Sequence, residues 1–199
     1  MRTLLLATTN EHKVDEFRVI FQGLPFTLLS LRDIQLDMDV EETGTTFAEN
    51  ALLKATAYAQ ATNMLALADD SGLEIDALGG APGVYSARFG GREVTYEERF
   101  RLIHERLQDV APSEHTARFR CALAMAEPSG YVRVVEGTIE GVIAESARGE
   151  NGFGYDPIFL VPEFGKTTAE MAPEEKNRIS HRGRAAEAAR HLLENWPAR

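Results

Sequence analysis

The sequence predicts a mixed α/β fold, a central β-sheet flanked by helices. Two short apolar runs, residues 3–7 and 64–68, each adjoin a stretch with helical spacing, the alternation that lays helices on the faces of a sheet. Residues 117–126 and 131–144 are instead rich in β-formers with a turn between them, which reads as an antiparallel hairpin. With 199 residues, 44% hydrophobic and 26% charged, the chain has the make-up of a globular protein large enough to bury its own core.

Each element has its own signal. Residues 3–7 form the first buried strand, Thr8-Thr9-Asn10 supplies a polar break, and a helix follows with Val14, Phe17 and Phe21 on one face. A second helix starts at Thr46, where Thr46 and Glu49 have capping-box spacing, and runs through Ala51, Leu52, Ala55 and Ala59 to about Thr62. The strand 64–68 follows and is expected to run out into a turn at Asp69-Asp70-Ser71-Gly72. Beyond the Gly/Pro-rich segment 78–83, a third helix begins at Thr95 with Glu98 as its capping partner and buries Phe100, Ile103 and Leu107. Glu127-Pro128-Ser129-Gly130 separates the two β-runs, and a last helix capped by Ser180 carries Ala185, Ala188, Ala189, Leu192 and Leu193.

Composition excludes several classes. A net charge of −10 argues against a general nucleic-acid binder, which needs a basic face to displace counterions, but allows a small anionic substrate where cations are concentrated locally. The single cysteine, Cys121, rules out an internal disulfide and reads as a core thiol in the alternation Ala117, Phe119, Cys121, Leu123, Met125. No segment approaches membrane-spanning length, so a cytoplasmic enzyme with no membrane partner is the expectation.

Three clusters carry chemistry. Thr8-Thr9-Asn10-Glu11-His12-Lys13 lies where a strand delivers the chain into a helix N-terminus, whose free amides and positive dipole end favour a phosphate; an ordinary helix cap would look the same. Glu41-Glu42-Thr43-Gly44, Glu49-Asn50 and Asp69-Asp70 offer the few carboxylates that magnesium takes alongside water and phosphate oxygens, although a solvated acidic loop and turn would fit the first group equally. Gly152-Phe153-Gly154-Tyr155-Asp156-Pro157, with Lys176-Asn177 and Ser180-His181-Arg182-Gly183, combines an aromatic flanked by glycines with cations and donors for a base edge; a β-bulge with a helix cap is the plainer alternative.

In this order the clusters closely resemble the inosine triphosphate pyrophosphatase family. The resemblance runs from Leu4 to about Ala186 and rests on Ala7-Thr8-Thr9-Asn10 with Lys13 and Glu16, Glu42-Thr43-Gly44-Thr45-Thr46-Phe47 with Glu49-Asn50-Ala51, Ala68-Asp69-Asp70-Ser71-Gly72-Leu73, the stretch 77–88, Gly152 to Pro157, and Glu175-Lys176-Asn177 with Ile179 to Gly183. The chain departs from the family at Thr9 and His12, where glycines are usual. The resemblance implies one domain over 1–199, two lobes with the active-site cleft between them, a homodimer, and magnesium-dependent hydrolysis of ITP, dITP and XTP to the monophosphate and pyrophosphate.

The resemblance also implies roles. Thr8, Thr9, Asn10, Glu11, His12 and Lys13 would hold the triphosphate; Glu41 (or its neighbour Glu42) and Asp70 would bind Mg2+, with Asp70 also the proton acceptor for the attacking water and Asp69 its reserve. Ser71 would touch the substrate, Phe153 would stack on the purine, Gly154, Tyr155 and Asp156 would line the pocket, Lys176 would meet phosphate or sugar, and His181 with Arg182 would read the base. Donors aimed at C6 would accept the oxygen of inosine and oppose the amino group of adenine. A pyrophosphatase for modified pyrimidines and a non-catalytic nucleotide-binding module are the competing classes.

Overall fold

The computed structural model describes residues 2–197. Seven strands form one mixed sheet, β1 (Arg2–Leu6), β2 (Phe26–Ser30), β3 (Leu65–Ile75), β4 (Thr116–Ala126), β5 (Val132–Ile143), β6 (Phe159–Val161) and β7 (Lys166–Thr167), in the order β2-β1-β3-β4-β5-β6-β7. β1 lies parallel to both neighbours, with Leu4 opposite Leu28 on one side and Leu65 on the other. Parallel neighbours need crossover helices, here α1 (Glu11–Ile20) and α2 (Phe47–Thr62), and a strand covered on both faces is apolar throughout, as Leu4, Leu5 and Leu6 are. At the other end of the order, β6 is antiparallel to β5 and to β7. The turn that joins β4 to β5 closes with Glu127 N–H donating to Tyr131 O and places Gly130 at a φ of +91°, where a side chain would be strained.

The chain divides into two compact units. The first comprises Met1–Asp70, Cys121–Gly137 and Arg182–Arg199; the second comprises Ser71–Arg120 and Thr138–His181. The core of the first unit gathers Val14 and Phe17 of α1, Leu65 and Leu67 of β3, Leu123 and Met125 of β4, and Ala185, Ala186, Ala189 and Leu193 of α5 (His181–Glu194). Cys121 is buried among them, as expected of a core thiol. Phe17 and Phe21 stack with centroids 5.7 Å apart. The second unit has its own core, built from Leu73 and Ile75 of β3, Ile103 and Leu107 of α3 (Tyr96–Leu107), Phe119 of β4, and Ile158, Phe159 and Met171. Capping boxes open both α2 and α3, at Thr46 with Glu49 and at Thr95 with Glu98.

The described ends of the chain meet in the first unit. Arg2 donates from Nη1 to the carbonyls of Trp196 (3.3 Å) and Pro197 (2.9 Å) and from Nη2 to Glu127 (3.1 Å). Trp196 Nε1 donates to the same Glu127 oxygen at 2.7 Å and its ring meets Tyr131 edge-on. Burial alone would raise the Glu127 pKa, but the bonds from Trp196, Ser129 and Arg2 outweigh it and hold the carboxyl below its ordinary value.

The expected turn at Asp69-Asp70-Ser71-Gly72 is absent: all four residues lie inside β3, which is 11 residues long. β1 ends opposite Leu67, so beyond that point β4 is the strand beside β3, and tertiary pairing overrides the local turn preference of Ser-Gly. Four further elements carry no clear signal in the sequence, namely β2, the short strands β6 and β7, and the helix α4 (Pro173–Ile179).

Candidate active site

The first cluster belongs to the first unit. The chain leaves β1, and Asn10 caps α1, its side-chain oxygen accepting from the backbone N–H of His12 (3.0 Å) and of Lys13 (3.4 Å). Thr9, Glu11 and His12 are exposed and Thr8 is half-buried. Lys13 reaches back across the helix to Asp69, Nζ to Oδ2, at 2.8 Å.

Because Asp69 and Asp70 sit in an extended strand, they point to opposite faces of the sheet. Their charges therefore do not confront each other as they would in a turn; Lys13 and Lys54 act on both, but Asp69 has Lys13 as its close partner and Asp70 has Lys54 on its own side. Asp69 faces α1 and α5, where Lys13 and Arg182 approach its Oδ2 at 2.8 and 3.5 Å. Burial would raise its pKa, yet the charges of Lys13, Arg182 and Lys54 more than reverse this, and the carboxyl stays ionised well below the usual range. Arg182 is itself 2% exposed and pairs with Glu16 at 2.8 Å. Its two terminal nitrogens thus bond carboxylates in the first unit.

Asp70 faces α2. Asn50, fully buried on that helix, donates to Asp70 Oδ2 at 3.0 Å and accepts from the Gly44 N–H at 2.8 Å, tying the acidic loop to the strand. Gly44 permits this approach, since a Cβ there would stand 2.7 Å from the Asn50 oxygen. One turn beyond Asn50, Lys54 holds Glu42 at 2.5 Å and stands 4.0 Å from Asp70 Oδ1. Burial, reinforced by the Glu42 charge, lifts the Asp70 pKa to about 6 against the opposing pull of Lys54 and Asn50. A carboxylate with that basicity is suited to accept a proton near neutral pH. Glu41 is exposed, whereas Glu42 acts on Asp70 directly.

The second cluster belongs to the second unit. Asp156 is its hub: Oδ2 accepts from the Phe153 N–H at 2.8 Å and from Lys176 Nζ at 2.7 Å, and Oδ1 accepts from the Thr168 hydroxyl at 2.7 Å. Lys176 Nζ also lies 5.1 Å from the centre of the Phe153 ring, a cation–π distance. Gly152 has a φ of +76°, and a Cβ on it would fall 2.1 Å from Asp156 Oδ2, so only glycine leaves room for the pair. Gly154 is likewise in the left-handed region. Tyr155 turns into the core of this unit, its hydroxyl donating to Ser86 O at 2.9 Å and its ring meeting Tyr96 edge-on. These contacts anchor the loop in the second unit. His181 is buried and stacks on Phe119 at 4.7 Å, and Ser71 is half-buried in β3.

Two residues outside the three sequence clusters contact their aspartates, Lys54 beside Asp70 and Thr168 on Asp156. Lys54 was legible as the residue one helical turn after Asn50, on the same face of α2. Thr168 has no local signal, because its partner Asp156 is 12 residues away.

The sequence matches the family model described as the Ham1 family over residues 4–192. The chain belongs to the Ham1 family. Among its Ham1 relatives, a dITP/XTP pyrophosphatase of Thermus thermophilus is 53% identical over 194 residues, spanning 98% of this chain and 93% of its own. A dITP/XTP pyrophosphatase of Bacillus subtilis is 47% identical over 194 residues, with 98% of each chain covered. Solved structures agree: a HAM1 protein from Coxiella burnetii superposes with a TM-score of 0.90 at 42% identity, covering 98% of this chain and all of its own. The Ham1 protein of Staphylococcus aureus gives 0.88 at 41% identity, with 98% of this chain and 100% of its own covered.

Proposed function

We propose that this Ham1 protein hydrolyses deaminated purine nucleoside triphosphates, ITP, dITP and XTP, to the monophosphate and pyrophosphate. The observation that carries the reading is the pairing of Asp70, lifted to about 6, with the Glu42–Lys54 pair on one side of β3, while Asp69 on the other side is neutralised by Lys13 and Arg182. The names borne by the relatives support it.

In this reading the first cluster handles the triphosphate. Lys13 and the N-terminus of α1, from Thr8 to His12, bind phosphate oxygens; Lys54 neutralises charge near Asp70. Asp70 takes the proton from a water that attacks the α-phosphorus, and pyrophosphate leaves. The donor set fits magnesium: Asp70 and Glu42, both beside Lys54, supply the one or two carboxylates that this ion takes alongside water and phosphate oxygens. When bound, Mg2+ would neutralise developing phosphate charge and lower the pKa of the attacking water. We take Glu42 in preference to Glu41 as its second ligand, on the strength of its action on Asp70.

The second cluster handles the base. Phe153 stacks on the purine with Lys176 and Asp156 holding it, and His181 supplies a donor to the C6 oxygen. Arg182 keeps Asp69 and Glu16 in place. Ser71 remains a substrate contact by resemblance. The same resemblance carries a homodimer, one functional domain over 1–199 and a cytoplasmic location; among the described residues no helix is long and apolar enough to cross a membrane.

Incubation with ITP, ATP and a pyrimidine triphosphate, with and without magnesium, tests the function. The expected result is magnesium-dependent release of pyrophosphate from ITP far above that from the other two. Preference for the pyrimidine, or nucleotide binding without pyrophosphate release, would reject it. Sedimentation at micromolar concentration tests the dimer, which a monomer alone would exclude.

A further inference from the structure

We infer that Thr168 is a positioning residue for base recognition, acting on Phe153 through Asp156. Its hydroxyl is 1% exposed and lies 2.7 Å from Asp156 Oδ1 and 3.2 Å from the Asp156 carbonyl. A hydroxyl has one proton, and the shorter, charge-assisted contact takes it. Oδ2 already carries Lys176 and the Phe153 N–H, so Thr168 fixes the remaining oxygen and with it the rotation of the carboxylate. Thr168 is itself held firmly. It opens the 3-10 turn Thr168–Glu170, which a capping box between Thr167 and Glu170 closes; Thr167 Oγ1 bonds Arg148 O at 2.7 Å, and Asn151 N–H bonds Ala169 O at 3.0 Å. A rigid turn thereby sets the plane of one carboxylate, and that carboxylate sets the backbone of the proposed stacking ring.

The inference rests on Phe153 as the ring that meets the purine, and its test separates the two. Thr168→Val keeps the shape and removes the donor; Thr168→Ser keeps the donor. In the free protein, the Phe153 amide resonance should move in the Val variant and return in the Ser variant. KM for ITP should rise about three- to tenfold in Thr168→Val with kcat within about twofold, and Ser should restore it. A Phe153 amide that does not move overturns the positioning role whatever the substrate. An amide that moves while KM stays constant, or kcat that falls with KM unchanged, overturns the link to recognition. Failure of the wild-type protein to turn over ITP at all would sink the base-stacking reading, and the amide measurement would still decide the role of Thr168.

Discussion

Asp70 in the first unit and Asp156 in the second are both buried aspartates with a lysine nearby, yet they are held differently. Asp156 takes Lys176 at 2.7 Å, and an amide and a hydroxyl complete the set, so each carboxylate oxygen has a short donor. Asp70 stands 4.0 Å from a lysine whose closer partner is Glu42, and its pKa is lifted to about 6. A carboxylate with a short donor on each oxygen serves as a fixed point for its neighbours; one whose burial outweighs the pull of its lysine has the basicity that proton transfer requires. In the proposed function the first does the chemistry and the second sets geometry.

The strongest way to break it is Asp70→Asn, which should lower turnover by about 10²–10⁴-fold. The same change should not cost stability. With its folded pKa raised from 3.8 to about 6, Asp70 imposes no penalty while both states are protonated, a growing penalty as the unfolded chain ionises first, and a constant one above pH 6. In chelator, the Asn variant should therefore melt with the wild type at acid pH and several degrees higher at pH 7. Near-normal turnover at saturating magnesium, or a melting temperature below wild type at pH 7, would contradict the assignment.

Lys54→Met tests the shared cation. kcat/KM should fall about ten- to a hundredfold. The acid limb of the pH–rate profile should move to higher pH, because a charge that lowers the Asp70 pKa is gone. Glu42→Gln should shift the limb the other way and raise the magnesium requirement, and Glu41→Gln should do neither. If Glu41→Gln alone changes the metal requirement, the ligand is Glu41.

Arg182→Ala leaves Asp69 buried with fewer cations, and should cost about 3–5 kcal/mol in urea unfolding. Because the guanidinium bonds Glu16 and Asp69, kcat/KM should drop equally for ITP and ATP. A selective loss on ITP would return Arg182 to the base edge. The smallest effect is expected in the second unit, where Gly152→Ala pushes on the Asp156–Lys176 pair and should cost about 2 kcal/mol while raising KM for ITP. Unchanged melting and KM would show that the pair has slack the geometry does not suggest.

What was legible in the sequence was mostly local. The capping boxes at Thr46 and Thr95 depend on residues three apart, and both form. The placement of Lys13 after β1 and of Asp69-Asp70 on β3 was likewise carried by runs of adjacent residues. Long-range pairing was not legible. Ser71-Gly72 reads as a turn, whereas in the fold both lie in β3 beside β4, which sends the two acids before them to opposite faces. Arg182 and Glu16 are 166 residues apart, so their pairing has no signal in a single chain. The proposal of Glu42 beside Glu41 draws on the position of Lys54, which only the folded helix supplies.

The grip of Arg2 on the carbonyls of Trp196 and Pro197 makes the backbone nearly a closed ring. A linker from residue 2 to residue 197 would follow the path of that side chain, and cyclising the described residues that way removes loop-closure entropy from the unfolded ensemble. Cutting elsewhere would then give a permuted protein, and the positions to avoid are the bonds on either side of Glu127, whose carboxylate is the clasp on which that ring closes.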